Sequence, residues 1–277
     1  MTPSHPQGRI SYVLLCASPF LAIAVAAPRP FRIPVVHQVV GVLLFAAIAF
    51  AVWNLAWKTD VRDSRKAGAA SIAGSLLATP FALVSLLWVG IGPPFLAGPA
   101  ENQMRYVVLI VASAAVAFGL IMLREVLSSA GERVLSTVGF AAIVLAAPLY
   151  ILGESIPLAF YAAVVRTGKA PDVFLALSEF QDIVMFFGGA LVYAAAASFA
   201  LSMSRAGWIG KGTGRAYAIV AAIGLAALLT RGLQFPDPTA ATMEWHSIPG
   251  FVAGIPAVPF IIPCLLGALA LREAGRK

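Results

Sequence analysis

The chain has 277 residues, 60% of them hydrophobic and 11% charged, with a mean hydropathy of +0.91 and a formal net charge of +7. A soluble domain carries about 25% charged residues, so this composition excludes an ordinary water-soluble fold and leaves no length for a separate soluble module. The positive charge does not point to nucleic acid, because Lys and Arg sit at the edges of apolar runs, where they set membrane topology.

Seven stretches run 18 residues or more without Lys, Arg, Asp or Glu, and a shorter eighth joins them. A helix crossing the hydrocarbon core needs ~20 apolar residues. The pattern predicts an all-α polytopic integral membrane protein: a single transmembrane domain over 1-277, a bundle of about eight helices. The spans fall at about 10–27, 35–57, 69–91, 106–123, 134–153, 183–204, 214–234 and 247–271.

The first span also resembles a signal peptide, with Arg9 before the apolar run and Ala24-Val25-Ala26 as a small-residue cleavage site. Arg29, Arg32 and the Pro-rich Pro28–Pro34 beyond it favour an intact span. Cys16 in this span and Cys264 in the last read as small buried hydrophobes, not as a disulfide or metal pair. His37 opens the second span. The third belongs to an uncharged run, 67–100, too long for one crossing; Pro93 and Pro94 end it because neither donates to a helical ladder.

A faint repeat links the odd spans, which carry Ser18-Pro19-Phe20, Thr79-Pro80-Phe81 and Ala147-Pro148-Leu149. Four duplicated helical hairpins would produce it, and so would chance similarity among Ala- and Phe-rich helices. Small residues recur every fourth place in the fourth span (Ala115, Gly119) and the sixth (Ala190, Ala194, Ser198, Ser202), a close-packing signal.

Glu154 follows the fifth span with apolar residues on both sides. Ser155–Val165 and Asp172–Asp182 both read as helical, so the fifth and sixth helices are expected to run on as a hairpin turning near Lys169. That places Glu154 near the level of Glu179 and Asp182. Between spans six and seven, Gly207, Gly210, Gly212 and Gly214 surround Lys211. A phosphate-binding P-loop needs Ser or Thr after the Lys and a strand before the loop; Gly212 and a helix stand there instead. Trp208 with Arg205 and Lys211 reads as an interfacial anchor.

Only 15 residues, Ala216–Thr230, separate Arg215 from Arg231. They span ~22 Å as a helix, less than the ~30 Å core, so Arg231 is expected to sit low and to seek an anion. Glu101, Glu154, Asp172, Glu179, Asp182, Asp237 and Glu244 fall on the same side, and Glu154, Glu179 and Asp182 with Arg231 form the leading candidate site. In the last span, Pro256, Pro259 and Pro263 share one helical face and remove the partners of the Val252, Ile255 and Pro259 carbonyls. Two readings follow: a broken helix lining a solute or cation path, or a kinked helix packed on its neighbours.

Counting Lys and Arg orients the chain. With the N-terminus inside, the cytoplasmic segments hold 13 and the outer segments 6, which favours both termini in the cytoplasm. The Ala-rich, Lys-poor composition points to a bacterial inner membrane.

The candidate binding residues are therefore Arg231, Glu154, Glu179, Asp182, Pro256, Pro259, His37 and His246. The two histidines with a carboxylate have the residue types of a metal site, but no spacing supports a metal or haem, and no cofactor is expected. The expected function is translocation of a small solute or ion. A non-catalytic accessory subunit is the alternative, and an enzyme acting on a lipid or isoprenoid the third. The expected partners are the lipid bilayer and another membrane protein or a second copy.

Overall fold

The computed structural model describes residues 6–26, 34–57, 65–92, 94, 97–232, 249–255 and 257–275. Among these, every regular element is helical: α1 (Pro6–Ala26), α2 (Pro34–Trp57), α3 (Arg65–Ser85), α4 (Pro99–Ser129), α5 (Val134–Thr167), α6 (Phe174–Arg205), α7 (Lys211–Arg231), α8 (Pro249–Gly254) and α9 (Ile261–Ala274). A π-helical turn, Leu86–Ile91, extends α3. Seven helices, ending with α7, are long and apolar enough to cross a membrane.

The helices outrun the uncharged windows. α4 begins at Pro99, seven residues before the expected span, because its start is chemically marked. Pro99 occupies the first turn, and the Glu101 carboxylate accepts the Gly98 N–H at 2.7 Å. α5 continues to Thr167, and α6 begins at Phe174. The hairpin expected from Ser155–Val165 and Asp172–Asp182 is present; it turns at Gly168, whose φ of 70° suits a residue without Cβ.

The segment read as an eighth span is not one helix. α8 ends at Gly254 and α9 starts at Ile261, where the prolines interrupt the ladder. Pro256 itself lies outside the described residues. The Val252 carbonyl accepts the Ile255 N–H at 3.2 Å, and the Ile255 carbonyl accepts the Val258 N–H at 2.8 Å. Tight turns thus recover carbonyls that the prolines deprive of helical partners.

Successive helices pack side by side from α1 to α8, and α9 returns to α3 and also touches α1, α2, α4 and α6. Its residues Ile262–Leu271 are all buried. Such depth requires close backbone approach. A Cβ added at Gly74 would stand 2.7 Å from the Gly267 carbonyl oxygen, and one at Gly267 would stand 2.9 Å from that of Gly74. α8 packs on the last turn of α7, and Arg272 at the far end of α9 lies over Tyr12 near the start of α1. The two short helices therefore carry the chain from one end of the bundle to the other.

The small-residue faces are packing faces. Gly119 meets Leu77 of α3, and Ser198 lies against Gly139 of α5. The outer surface is strongly apolar, with Trp57 68% and Val134 69% exposed. Soluble monomers rarely show such continuous apolar patches.

Candidate functional site: a buried carboxyl among tyrosines

Glu154 lies within α5 and is 1% exposed. Among the described residues, neither of its carboxyl oxygens has a hydrogen-bond partner. The burial follows from its neighbours in sequence. Gly153 has no side chain, so α6 closes in; a Cβ there would stand 2.5 Å from the Met185 sulfur. Pro157 withholds the N–H that the Gly153 carbonyl would otherwise accept. The Ser155 hydroxyl is committed to the Ile151 carbonyl at 2.6 Å.

Two tyrosines stand within electrostatic reach of this carboxyl: Tyr106 of α4 and Tyr150, one turn earlier on α5. The Tyr150 hydroxyl is buried and, among the described residues, has no hydrogen-bond partner. Its ring lies 5.0 Å from that of Phe260, in the break between α8 and α9. Tyr193 of α6 is within reach of Tyr150, and its hydroxyl donates to the Ala253 carbonyl at 2.9 Å. Pro259 packs nearby, 3.9 Å from a Cβ added at Gly189. Glu154, Tyr150 and Tyr193 thus share an apolar interior, and Tyr193 bonds the buried backbone of the helix break.

The polar cluster expected from sequence is divided. Arg231 ends α7, and its Nη2 lies 3.9 Å from Asp182 Oδ1. The Arg231 side chain is 8% exposed against 44% for Asp182. Its guanidinium stands 4.6 Å from the Phe251 ring centroid, and its stem fills the space left by Gly250. Glu179 is exposed and feels Asp182 across one turn. Among the described residues Glu154 forms no ion pair with them; α5 and α6 run antiparallel with residue 153 beside 184 and 185.

His37 lies in the first turn of α2, partly buried. His246 and Pro256 lie outside the described residues. Among the described residues, no group of three or more His, Cys, Asp or Glu side chains is placed to hold a metal ion.

Sequence reading missed Arg105. It is fully buried on α4, donating from Nη2 to the Gly92 carbonyl and from Nε to Asn102 Oδ1 at 3.1 Å. Its guanidinium stands 5.3 Å from the Trp88 ring centroid. Asn102 in turn donates to the carbonyls of Pro94, at 2.8 Å, and Ala97, at 3.2 Å. Arg105 thus anchors the end of the π-helical turn and the connection after it, a suitable place for a cation because free carbonyls gather there. Tyr106 lies within electrostatic reach of both Arg105 and Glu154. The signal was available: the helix start at Gly98-Pro99 places Arg105 nearly two turns inside α4, not in a loop.

The chain matches no protein-family model, and neither curated proteins nor solved structures yield a match. The class it defines is an all-helical bundle with seven helices capable of crossing a membrane. Within that class, its distinguishing features are the buried Glu154 and the broken α8–α9 segment.

Proposed function

We propose that this protein lies in a membrane with both termini on the cytoplasmic side, and that it translocates protons or a small cation, with Glu154 as the group that takes the ion up and releases it. The observation that carries the reading is a carboxyl that is 1% exposed and, among the described residues, has no hydrogen-bond partner, in a helix apolar enough to span a bilayer. An unpaired carboxylate in such surroundings costs several kcal/mol or more. The group is therefore held neutral by a proton or balanced by a cation, and its cost is repaid by function.

Tyr106, Tyr150 and Tyr193 supply the apolar interior with groups that both donate and accept. The α8–α9 break interrupts the helix beside them, with Tyr193 bonded to the Ala253 carbonyl, as discontinuous helices flank sites in transporters. Support for the topology comes from α8 and α9 together running the length of the bundle, which completes an even number of crossings, and from the 13-to-6 bias in Lys and Arg.

Proteoliposomes containing the full chain and an internal pH-sensitive dye test the reading. Under an imposed potassium diffusion potential, the wild type should change internal pH faster than empty vesicles, with and without sodium. Glu154→Gln should fall to the empty-vesicle rate while keeping its helical circular dichroism. Full flux in Glu154→Gln removes Glu154 from the pathway. A wild type indistinguishable from empty vesicles removes proton translocation, alone or coupled to sodium, and favours an accessory subunit, to be sought by co-purification.

A further inference from the structure

At the opposite end of the bundle from Arg231, a cavity of about 430 Å³ opens between the start of α1, the α6–α7 turn and the end of α9. Its wall includes Tyr12, Trp208, Gly210, Thr213 and Arg272. We propose that this cavity binds a phosphate group, held chiefly by Arg272.

The guanidinium of Arg272 lies 4.9 Å from the Tyr12 ring centroid, and Nη1 donates to the Tyr12 hydroxyl at 3.4 Å. Its Nε is buried and, among the described residues, has no hydrogen-bond partner. Among the described residues, the ion pairs are Arg124–Glu125 and Arg231–Asp182, so no carboxylate neutralises Arg272. A stacked guanidinium is pre-oriented, and its remaining N–H groups match the paired oxygens of a phosphate.

The opposite wall adds donors. Thr213 presents a hydroxyl from the first turn of α7. Gly210 precedes that turn and brings no side chain to cap it. Gly207 of the α6–α7 turn lines the cavity as well. Arg205, Lys211 and Arg215 make the surroundings basic. The Gly-rich turn thus offers a single-phosphate seat without the Lys-Ser or Lys-Thr pair that a nucleotide loop requires.

The cavity stands at the polar edge of the apolar helices, where lipid phosphates lie, and Trp208 is a residue type enriched at that level. An anionic lipid headgroup and a soluble phosphate ester would engage the same donors. The site is independent of Glu154.

Native mass spectrometry of the full chain in detergent tests the proposal with three probes: phosphatidylglycerol, diacylglycerol and glycerol phosphate. Phosphatidylglycerol or glycerol phosphate should be retained over diacylglycerol. Arg272→Gln should lower that retention about tenfold or more, the loss expected for a charge-assisted pair. Arg272→Lys should retain part of it. Arg133→Gln, exposed at the same end and outside the cavity, should leave it within about twofold, since exposed charges contribute little. Sensitivity confined to phosphatidylglycerol assigns a lipid; sensitivity of both phosphate probes assigns a site open to soluble esters. If Arg272→Gln does not fold, Arg272→Lys and Thr213→Val carry the test. Retention unchanged by substitutions in the cavity, or lowered equally by Arg133→Gln, overturns the proposal.

Discussion

Tyr193 donates its hydroxyl hydrogen to the carbonyl of Ala253 at 2.9 Å, which fastens the middle of α6 to the broken end of α8. That carbonyl stands one residue before α8 ends. The bond therefore replaces a helical partner that the break removes, in an interior where water is not at hand to do so.

Tyr193→Phe should leave the ring packed against Gly224 and orphan only the Ala253 carbonyl. The expected cost is about 1–3 kcal/mol, the penalty for a buried acceptor deprived of its donor. Chemical denaturation in detergent micelles reads it. An unchanged midpoint would mean that the carbonyl has another donor or that α8 is not held by this contact.

Gly74→Ala should be destabilising. The new Cβ would meet the Gly267 carbonyl oxygen at 2.7 Å and the Leu271 N at 2.9 Å, both backbone atoms that cannot rotate aside. Overpacking of this kind costs about 1–3 kcal/mol. Gly68→Ala, in the same helix with nothing within 4 Å of its added Cβ, should raise stability by about 0.5–1 kcal/mol through backbone entropy. Thermal unfolding of the two variants side by side separates close packing from helix propensity. Equal effects would refute the α3–α9 contact.

Glu132 offers a pH test outside the apolar helices. Burial works against its ionisation, but the carboxylate accepts the Ser202 hydroxyl and the N–H groups of Leu135, at 3.0 Å, and Ser136, at 3.1 Å, with Arg205 adding its charge. The net effect holds its pKa below the ordinary 4.5. Because the folded value lies below the unfolded one, the stabilisation is complete above about pH 4.5 and fades as pH falls through the folded value. Glu132→Gln should thus be less stable than wild type at neutral pH, with the gap closing in acid. Melting midpoints measured down to about pH 3, below the usual carboxylate range, check this. A gap that does not change with pH would show that the side chain acts through packing alone.

Much of the fold is legible in the chain. The uncharged runs place seven of the helices, the prolines mark where the last segment breaks, and the short interval between Arg215 and Arg231 singles out the arginine that is buried beside Asp182. These features depend on local composition and on which backbone groups a residue lacks, so they can be read residue by residue. Windows bounded by charges underestimate helix length, because a charged side chain ends an apolar run without ending a helix. Arg105 is the clearest instance: its charge marked a boundary, while its backbone continues α4 and its guanidinium finds carbonyls inside the bundle.

By itself, the order of residues determined the helical class, the apolar exterior and the identity of Glu154 as a carboxyl in apolar surroundings. Only the tertiary structure decided its company. Whether a carboxyl meets a guanidinium or a phenol depends on the rotation of one helix against another. Here Gly153, Gly188 and Gly139 admit α6 closely along α5; Glu154 lies within electrostatic reach of Tyr106 and Tyr150, and Arg231 meets Asp182. Tyr150 is a local neighbour four residues away on α5, but Tyr106 of α4 and the Arg231–Asp182 pair bring together segments distant in sequence, and no local pattern encodes those contacts.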